Sequence, residues 1–210
     1  MKLGILGGTF NPIHIGHIRL AVEAKEKAEL DEIHFIPSYF PPHKIREKVL
    51  PFDVRVDFVE RSISIFNNFK VSKIEAKRDG PSYTIYTLFS YKEIYPDDIL
   101  FFILGSKDFV LIDTWYRWGD ILKLVNFVVA GSGEDIKLLD NFLKEKIPFA
   151  RKEKNFLWNL GERLLLYIEI PKLDISSSLV REKLKNNQSV SYLIPPQIEK
   201  DLIKFKNFFD

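Results

Sequence analysis

The sequence contains no cysteine, which excludes disulfide bonds, thiolate metal sites and cysteine nucleophiles. No apolar run comes near the roughly 20 residues that a membrane-spanning helix needs, so we expect no membrane anchor. The net charge of +2 is too small to indicate a nucleic-acid-binding surface. A strand pattern begins at the second residue, so we also expect no signal peptide. Together these features predict a cytoplasmic protein whose ligands are small molecules.

Short apolar strands alternate with amphipathic helices along the chain. Strands are predicted at 2–6, 33–37, 70–75, 99–104, 126–130 and 164–170. Helices are predicted at 16–30, 52–66, 83–94, 118–124, 135–146, 178–185 and 196–208. Strands separated by helices give right-handed crossovers, so the pattern predicts a doubly wound, mostly parallel α/β sheet with helices on both faces.

We found no linker in the sequence, so residues 1–210 are expected to form a single domain with a less regular excursion at about 131–161. That excursion carries a basic run at 151–154 and the large apolar residues Phe156 and Trp158. It is interpreted either as a solvated helical segment at the edge of the sheet or as a contact with a partner or a second copy. In open α/β sheets ligands bind beyond the carboxyl ends of the strands, so the loops after the strands are the candidate sites.

The first of these loops indicates an anion site. The strand at 2–6 ends at Gly7 and Gly8, and a helical pattern begins at Gly16. A glycine-bearing loop followed by a helix N-terminus offers backbone N–H groups to a phosphate. His14 and His17 are three residues apart at the helix entrance, so both imidazoles are able to face one anion. Two ordinary surface histidines, or a pair of zinc ligands, are the alternatives.

Three later loops add polar or aromatic groups at the same edge. Pro41 and Pro42 stiffen the loop after the second strand and project Lys44, whose ammonium suits a second phosphate. Ser82 is placed to cap the next helix. Gly105 ends a buried strand, and Trp115 follows it with a ring able to stack on a flat heteroaromatic ligand.

The last loop carries three serines, 176–178, that are placed to cap a helix. Arg181, one turn into that helix, is able to bind phosphoryl oxygens through its forked guanidinium. A helix cap, a surface lysine and a core tryptophan are the plain structural alternatives for the residues of these four loops.

Several of these stretches resemble a known family. His14-Ile-Gly-His17, preceded by Gly-Gly-Thr-Phe-Asn-Pro, resembles the HxGH signature of the nucleotidyltransferase superfamily. The run Ile175-Ser-Ser-Ser-Leu-Val-Arg181 resembles the same superfamily's second motif. Pro-Pro-His43-Lys44 and Ser82-Tyr-Thr-Ile-Tyr-Thr-Leu resemble the bacterial nicotinate-nucleotide adenylyltransferases in particular. Val190-Ser-Tyr-Leu-Ile-Pro is similar to that family's C-terminal segment.

This resemblance implies a Rossmann-like nucleotidyltransferase that joins ATP and nicotinate mononucleotide to give deamido-NAD and pyrophosphate in NAD biosynthesis. The implied catalytic residues are His14, His17 and Arg181. The implied ATP-binding residues are Gly7, Gly8, Thr9, Phe10, Gly16, His17, Gly105, Ser177, Ser178 and Arg181. The implied mononucleotide-binding residues are Asn11, His43, Lys44, Ser82, Tyr83, Thr84, Trp115 and Asp108. Mg²⁺ is expected to accompany ATP, with no protein ligand assigned to it.

One segment departs from the family pattern. Where the family has Gly-x-Asp, this chain has Gly105-Ser-Lys107, and Asp108 follows one position later. Either Asp108 takes over the contact or the contact is lost. This departure supports one alternative, a nucleotide-binding protein without turnover. A related enzyme with nicotinamide mononucleotide, phosphopantetheine or glycerol phosphate as acceptor is a separate alternative, which Ser82-Tyr-Thr and Trp115 disfavour. A homo-oligomer also stays open.

Overall fold

The structure is a computed structural model that describes residues 1–42 and 48–209. Packing of the backbone divides the chain into two compact units, each assembled from separate stretches of sequence. Unit 1 contains 1–7, 20–33 and 83–172, and unit 2 contains 8–19, 34–82 and 173–210. The expectation of a single domain over 1–210 stays a prediction.

Eight strands form one sheet within the described residues, in the order β3-β2-β1-β4-β5-β8-β7-β6. The strands are β1 (Lys2–Gly8), β2 (Glu32–Pro37), β3 (Phe69–Val71), β4 (Ile99–Gly105), β5 (Asn126–Gly131), β6 (Arg151–Lys154), β7 (Leu157–Asn159) and β8 (Leu164–Glu169). β1 pairs in parallel with β4, β4 with β5, and β5 with β8. This mostly parallel, doubly wound sheet confirms the predicted fold class.

Eight α-helices alternate with the strands in the described part of the chain. They are α1 (Ile15–Lys27), α2 (Phe52–Ile63), α3 (Thr84–Ile94), α4 (Ser106–Phe109), α5 (Trp118–Leu124), α6 (Asp135–Lys146), α7 (Ser177–Lys185) and α8 (Pro196–Leu202). All seven predicted helices are present, and the last one ends early because 203–208 forms a 3-10 helix. The four-residue helix α4 was too short to produce a periodic pattern.

The predicted strand at 70–75 is only partly correct. β3 ends at Val71, and a 3-10 helix at Ile74–Lys77 takes up the rest of that range. The apolar Ile74 made this turn resemble a continuing strand in the sequence. Glu75 is 7% exposed, and its buried carboxylate accepts a backbone hydrogen bond that is described below.

The excursion at about 131–161 contains α6 and an antiparallel pair of strands that sequence analysis missed. β6 pairs with β7, and β7 pairs with β8, both antiparallel. All four residues of β6 are exposed and charged, so the strand has no apolar face to reveal it. Trp158 is 3% exposed and Phe156 lies 5.9 Å from the ring of Tyr167, so both aromatic residues pack within unit 1.

The order of strands reverses at β1, which has β2 on one side and β4 on the other. The carboxyl end of β4 is Gly105, and β1 runs parallel beside it towards Gly7. In doubly wound sheets this reversal creates the crevice in which ligands bind. Two of the predicted ATP-binding glycines therefore lie at the ends of neighbouring strands in unit 1.

Candidate active site

The loop between β1 and α1 is anchored by Phe10. Its backbone is left-handed, with φ of 48°, which is uncommon for a bulky residue and is found where the surroundings enforce it. Phe10 is 1% exposed, and its ring packs edge-on against His17 at 5.1 Å and at a tilt of 44° against Phe35 at 5.9 Å. Because this side chain is buried, the prediction that Phe10 binds ATP applies to its backbone.

The two histidines lie against each other at the start of α1. Their ring centroids are 3.7 Å apart, with the ring planes 30° from parallel. The backbone N–H of His14 donates to Nδ1 of His17 at 3.2 Å, so a neutral His17 carries its proton on Nε2. Gly16 permits this arrangement, since a Cβ there would stand 3.0 Å from Nδ1 and Cε1 of His14.

Burial holds both imidazoles in their neutral form. It lowers the pKa of His14 to about 4, and His14 itself is 7% exposed. The pKa of His17 is lowered well below its usual value by burial and further by the neighbouring His14. His17 as a whole residue is half-buried, and its ring packs against the rings of Phe10 and His14. Nδ1 of His14 is buried and has no hydrogen-bond partner among the described residues.

The last predicted motif, at 175–181, contacts the loop between β1 and α1, and both belong to unit 2. Arg181 donates from Nη1 to the carbonyl of Asn11 at 2.8 Å and from Nη2 to Oγ of Ser178 at 3.1 Å. The hydroxyl of Ser177 donates to the carbonyl of Pro12 at 2.8 Å. The predicted cap is Ser176, whose Oγ accepts from the backbone N–H of Leu179 at 3.1 Å. The structure thus brings His14, His17, Ser177, Ser178 and Arg181 together around residues 9–17.

Asn11 forms hydrogen bonds through three of its atoms. Its side chain donates to the carbonyl of Lys48 at 2.9 Å and accepts from the N–H of Leu50 at 3.0 Å, while its carbonyl accepts from Arg181. The side chain is 1% exposed. Asn11 therefore holds the segment 48–50 against the first loop, and a contact of Asn11 with the mononucleotide stays a prediction.

Ser82 does not cap α3, contrary to the sequence interpretation. The N-cap of α3 is Tyr83, and the buried Oγ of Ser82 accepts from the N–H of Phe40 at 2.9 Å. The neighbouring N–H of Tyr39 donates to Oε2 of Glu75 at 3.2 Å, which explains the burial of that carboxylate. These contacts fix the chain after β2. The predicted His43 and Lys44 lie outside the described residues.

In unit 1, the first turn of α3 lies among aromatic rings. The ring of Tyr83 is 4.8 Å from that of Tyr116, and Thr84 is the first residue of α3. Trp115 packs edge-on against Phe102 at 6.1 Å and is only partly buried. The role of Trp115 against a pyridine ring stays a prediction.

The departure at Lys107 places a cation where the family pattern has a carboxylate. Asp108 Oδ2 lies 3.5 Å from the point where a Cβ on Gly105 would stand, and burial raises the pKa of this carboxyl. Asp108 as a whole residue is exposed, and its Oδ2 lies next to Gly105 at the end of β4. Asp108 therefore remains the candidate replacement at the carboxyl end of β4.

Sequence reasoning missed Arg55 and Glu75, two buried charged residues of unit 2. Arg55 is 1% exposed and donates to the carbonyls of Thr9 and Leu50. The signal was available, because Arg55 lies three, four and seven positions before the buried Phe58, Val59 and Ser62 of α2, on the face expected to be apolar.

The structure describes residues 1–42 and 48–209, and these ranges contain neither a metal cluster nor a membrane span. No group of three or more His, Asp or Glu side chains in those ranges is arranged to hold a metal ion. No helix in the same ranges has the length and apolar character needed to cross a membrane.

Comparisons with known proteins agree on one family. The cytidylyltransferase-like family model matches residues 5–183. A probable nicotinate-nucleotide adenylyltransferase from Trichlorobacter lovleyi is 39% identical over 204 residues, which cover 95% of each chain. A probable enzyme of the same name from Clostridium novyi is 39% identical over 195 residues, or 92% of each chain.

Solved structures agree with the fold. Plasmodium falciparum nicotinic acid mononucleotide adenylyltransferase complexed with NaAD is 20% identical with a TM-score of 0.76, covering 100% of this chain and 98% of that one. A putative nicotinate-nucleotide adenylyltransferase from Vibrio parahaemolyticus is 16% identical with a TM-score of 0.67, covering 100% and 96%. At such low identity these likenesses show the fold alone.

Proposed function

Because the chain belongs to the nicotinate-nucleotide adenylyltransferases, within the cytidylyltransferase-like family, we propose that it transfers the adenylyl group of ATP to nicotinate mononucleotide. The products are deamido-NAD and pyrophosphate. The proposal rests on the pair of neutral imidazoles of His14 and His17 at the start of α1. Arg181 lies beside them, because it donates a hydrogen bond to the carbonyl of Asn11, three residues before His14. This group of donors suits a polyphosphate.

The reaction needs no protein nucleophile. A phosphate oxygen of the mononucleotide attacks the α-phosphorus of ATP in line, a new P–O bond forms, and the bond to the bridging oxygen breaks to release pyrophosphate. Catalysis of such a step consists mainly of positioning and of stabilising the developing charge. We assign that stabilisation to Nε2–H of His17, to His14 and to Arg181. The N-terminus of α1, a helix of 13 residues, adds its dipole.

ATP is proposed to lie on the first loop and on the start of α7. Its contacts are the backbone of residues 7–10 and Gly16, together with Gly105, Ser177 and Ser178. The mononucleotide is assigned to Trp115, Thr84, Tyr83, Ser82, Asn11, His43, Lys44 and Asp108. An aromatic acid as acceptor is favoured by Trp115, a half-buried residue whose ring suits stacking on a pyridine.

Mg²⁺ is proposed to enter with ATP. We expect the triphosphate and water, rather than a cage of protein side chains, to hold the ion. When bound, the ion neutralises charge on the triphosphate and on the leaving pyrophosphate. The cytoplasmic location and a homo-oligomeric state remain predictions.

A second candidate is a related enzyme with nicotinamide mononucleotide or phosphopantetheine as acceptor, and a third is a nucleotide-binding protein without turnover. Lys107, which stands in place of the family's aspartate, is the observation that favours the binding protein. The intact His14, His17 and Arg181 favour turnover over binding alone.

An assay of pyrophosphate release with a panel of acceptors separates these candidates. The purified chain is supplied with ATP, Mg²⁺ and one acceptor at a time: nicotinate mononucleotide, nicotinamide mononucleotide or phosphopantetheine. We expect kcat/KM to be highest with nicotinate mononucleotide, because the amides at the start of α3 suit a carboxylate. A higher value with either other acceptor identifies the related enzyme, and no release with any acceptor identifies a binding protein.

A further inference from the structure

Arg55 is a buried cation that the proposed roles leave unused. Its Nη1 donates to the carbonyl of Thr9 at 2.7 Å and its Nε to the carbonyl of Leu50 at 2.9 Å. The guanidinium carbon also lies 5.5 Å from the centre of the Phe52 ring. Burial lowers the pKa of Arg55 to about 10, and the negative charge of Glu75 opposes that shift.

The two carbonyls belong to different segments that flank the proposed site. Thr9 lies in the phosphate-binding loop, three residues after Leu6 and five before His14. Leu50 closes the segment 48–50, which the side chain of Asn11 also holds through Lys48 and Leu50. Arg55 and Asn11 therefore join the same two segments from two points, with four hydrogen bonds in total.

A buried charge is an expensive way to fill space. An apolar side chain of similar volume often replaces a buried ionic group with no loss of stability. A guanidinium instead fixes the distance between two acceptors, because its donors form a rigid planar fork. At Arg55 the two acceptors are main-chain carbonyls, so the fork sets the backbone of the phosphate-binding loop.

From these contacts we infer that Arg55 is a positioning residue for adenylyl transfer, holding the loop of Thr9 in register with the segment 48–50 so that His14 and His17 meet the phosphates. The inference rests on the proposed function. Arg55 does not itself touch the phosphates; it acts through the Thr9 carbonyl and the loop that leads to the histidines.

The test compares the same substitution at two arginines of α2. Arg55→Lys keeps the charge but loses the fork, so one carbonyl loses its donor. Arg61→Lys is the matched control, since Arg61 pairs with Asp57 and Asp201 rather than with the first loop. Both variants are assayed well below their unfolding temperatures, and the folded fraction is measured for each.

We expect Arg55→Lys to lower kcat about 10- to 100-fold, since displacing reacting groups by about 1 Å costs on the order of 10²-fold in rate. Arg61→Lys is expected to stay within twofold of wild type. The imidazole proton signals of His14 and His17 should shift in Arg55→Lys, while that of the buried His34 in β2 should not. If Arg55 had a purely structural role, the substitution would lower stability without a specific shift of the His14 and His17 signals.

Arg55→Gln is the second variant, because it leaves no buried charge and still offers one donor if Arg55→Lys does not fold. A kcat within twofold of wild type in a folded Arg55 variant, or unchanged signals of His14 and His17, overturns the inference alone. If the wild-type chain fails to release pyrophosphate with every acceptor, the proposed function is overturned, and the role of Arg55 falls with it.

Discussion

The neutral imidazoles of His14 and His17 make folding stability depend on pH. An unfolded histidine takes up a proton below about pH 6.5, whereas folded His14 does so only near a pKa of about 4. The unfolded state therefore binds more protons between these values, so stability falls as the pH falls. His17 adds to the loss in the same direction.

For His14 alone this loss amounts to about 2 kcal/mol between about pH 6.5 and pH 5, at roughly 1.4 kcal/mol per pH unit. We predict that His14→Asn removes this part of the pH dependence. Urea unfolding of both proteins at about pH 7.5 and pH 5 gives the measurement, since the other titrating groups are common to the pair. If wild type and His14→Asn lose the same stability over this range, His14 is not held neutral by burial.

At the scale of the elements, the fold was predictable because most strands are buried on both faces. β4 and β5 are runs of apolar residues, which the sequence displays directly. β6 escaped prediction because an exposed, fully charged edge strand carries no apolar pattern. The third strand was predicted to extend beyond Val71 because apolar residues in the following 3-10 helix continue the same pattern.

The site was predictable where a motif is local and was not where partners are distant in sequence. The loop 7–17 and Ser177, Ser178 and Arg181 were each identified, but the bond between Arg181 and Asn11 spans 170 positions and no periodicity encodes it. Ser82 was predicted to cap a helix because serine usually favours that position. Its hydroxyl instead accepts a hydrogen bond from a backbone N–H 42 positions away. Arg55 was missed because a charged residue on an apolar helix face contradicts the rule that identified the helix.

At the scale of the whole molecule, the two units carry separate spectroscopic reporters. All three tryptophans (Trp115, Trp118 and Trp158) belong to unit 1, and the histidines that the structure describes (His14, His17 and His34) belong to unit 2. If the chain folds as the single domain that its sequence predicts, the two sets of signals should disappear together on heating.

We predict coincident midpoints for tryptophan fluorescence and for the histidine proton resonances in thermal unfolding. Far-UV circular dichroism, which reports on both units, supplies the control and should share the same midpoint. Two resolved transitions, one for each reporter, would show that units 1 and 2 unfold independently and would contradict the single-domain prediction.

The most direct test of the proposed chemistry is the turnover of His17→Asn with ATP and nicotinate mononucleotide. Asparagine places an acceptor near Nδ1, so the bond from the His14 N–H is retained, but it supplies no donor at Nε2. His17→Ala, which removes both, is the companion variant. If Nε2–H stabilises the developing charge, pyrophosphate release should fall about 10²- to 10³-fold in both variants while they remain folded. Near-wild-type release by folded His17→Asn would contradict the role of His17 and with it the proposed site.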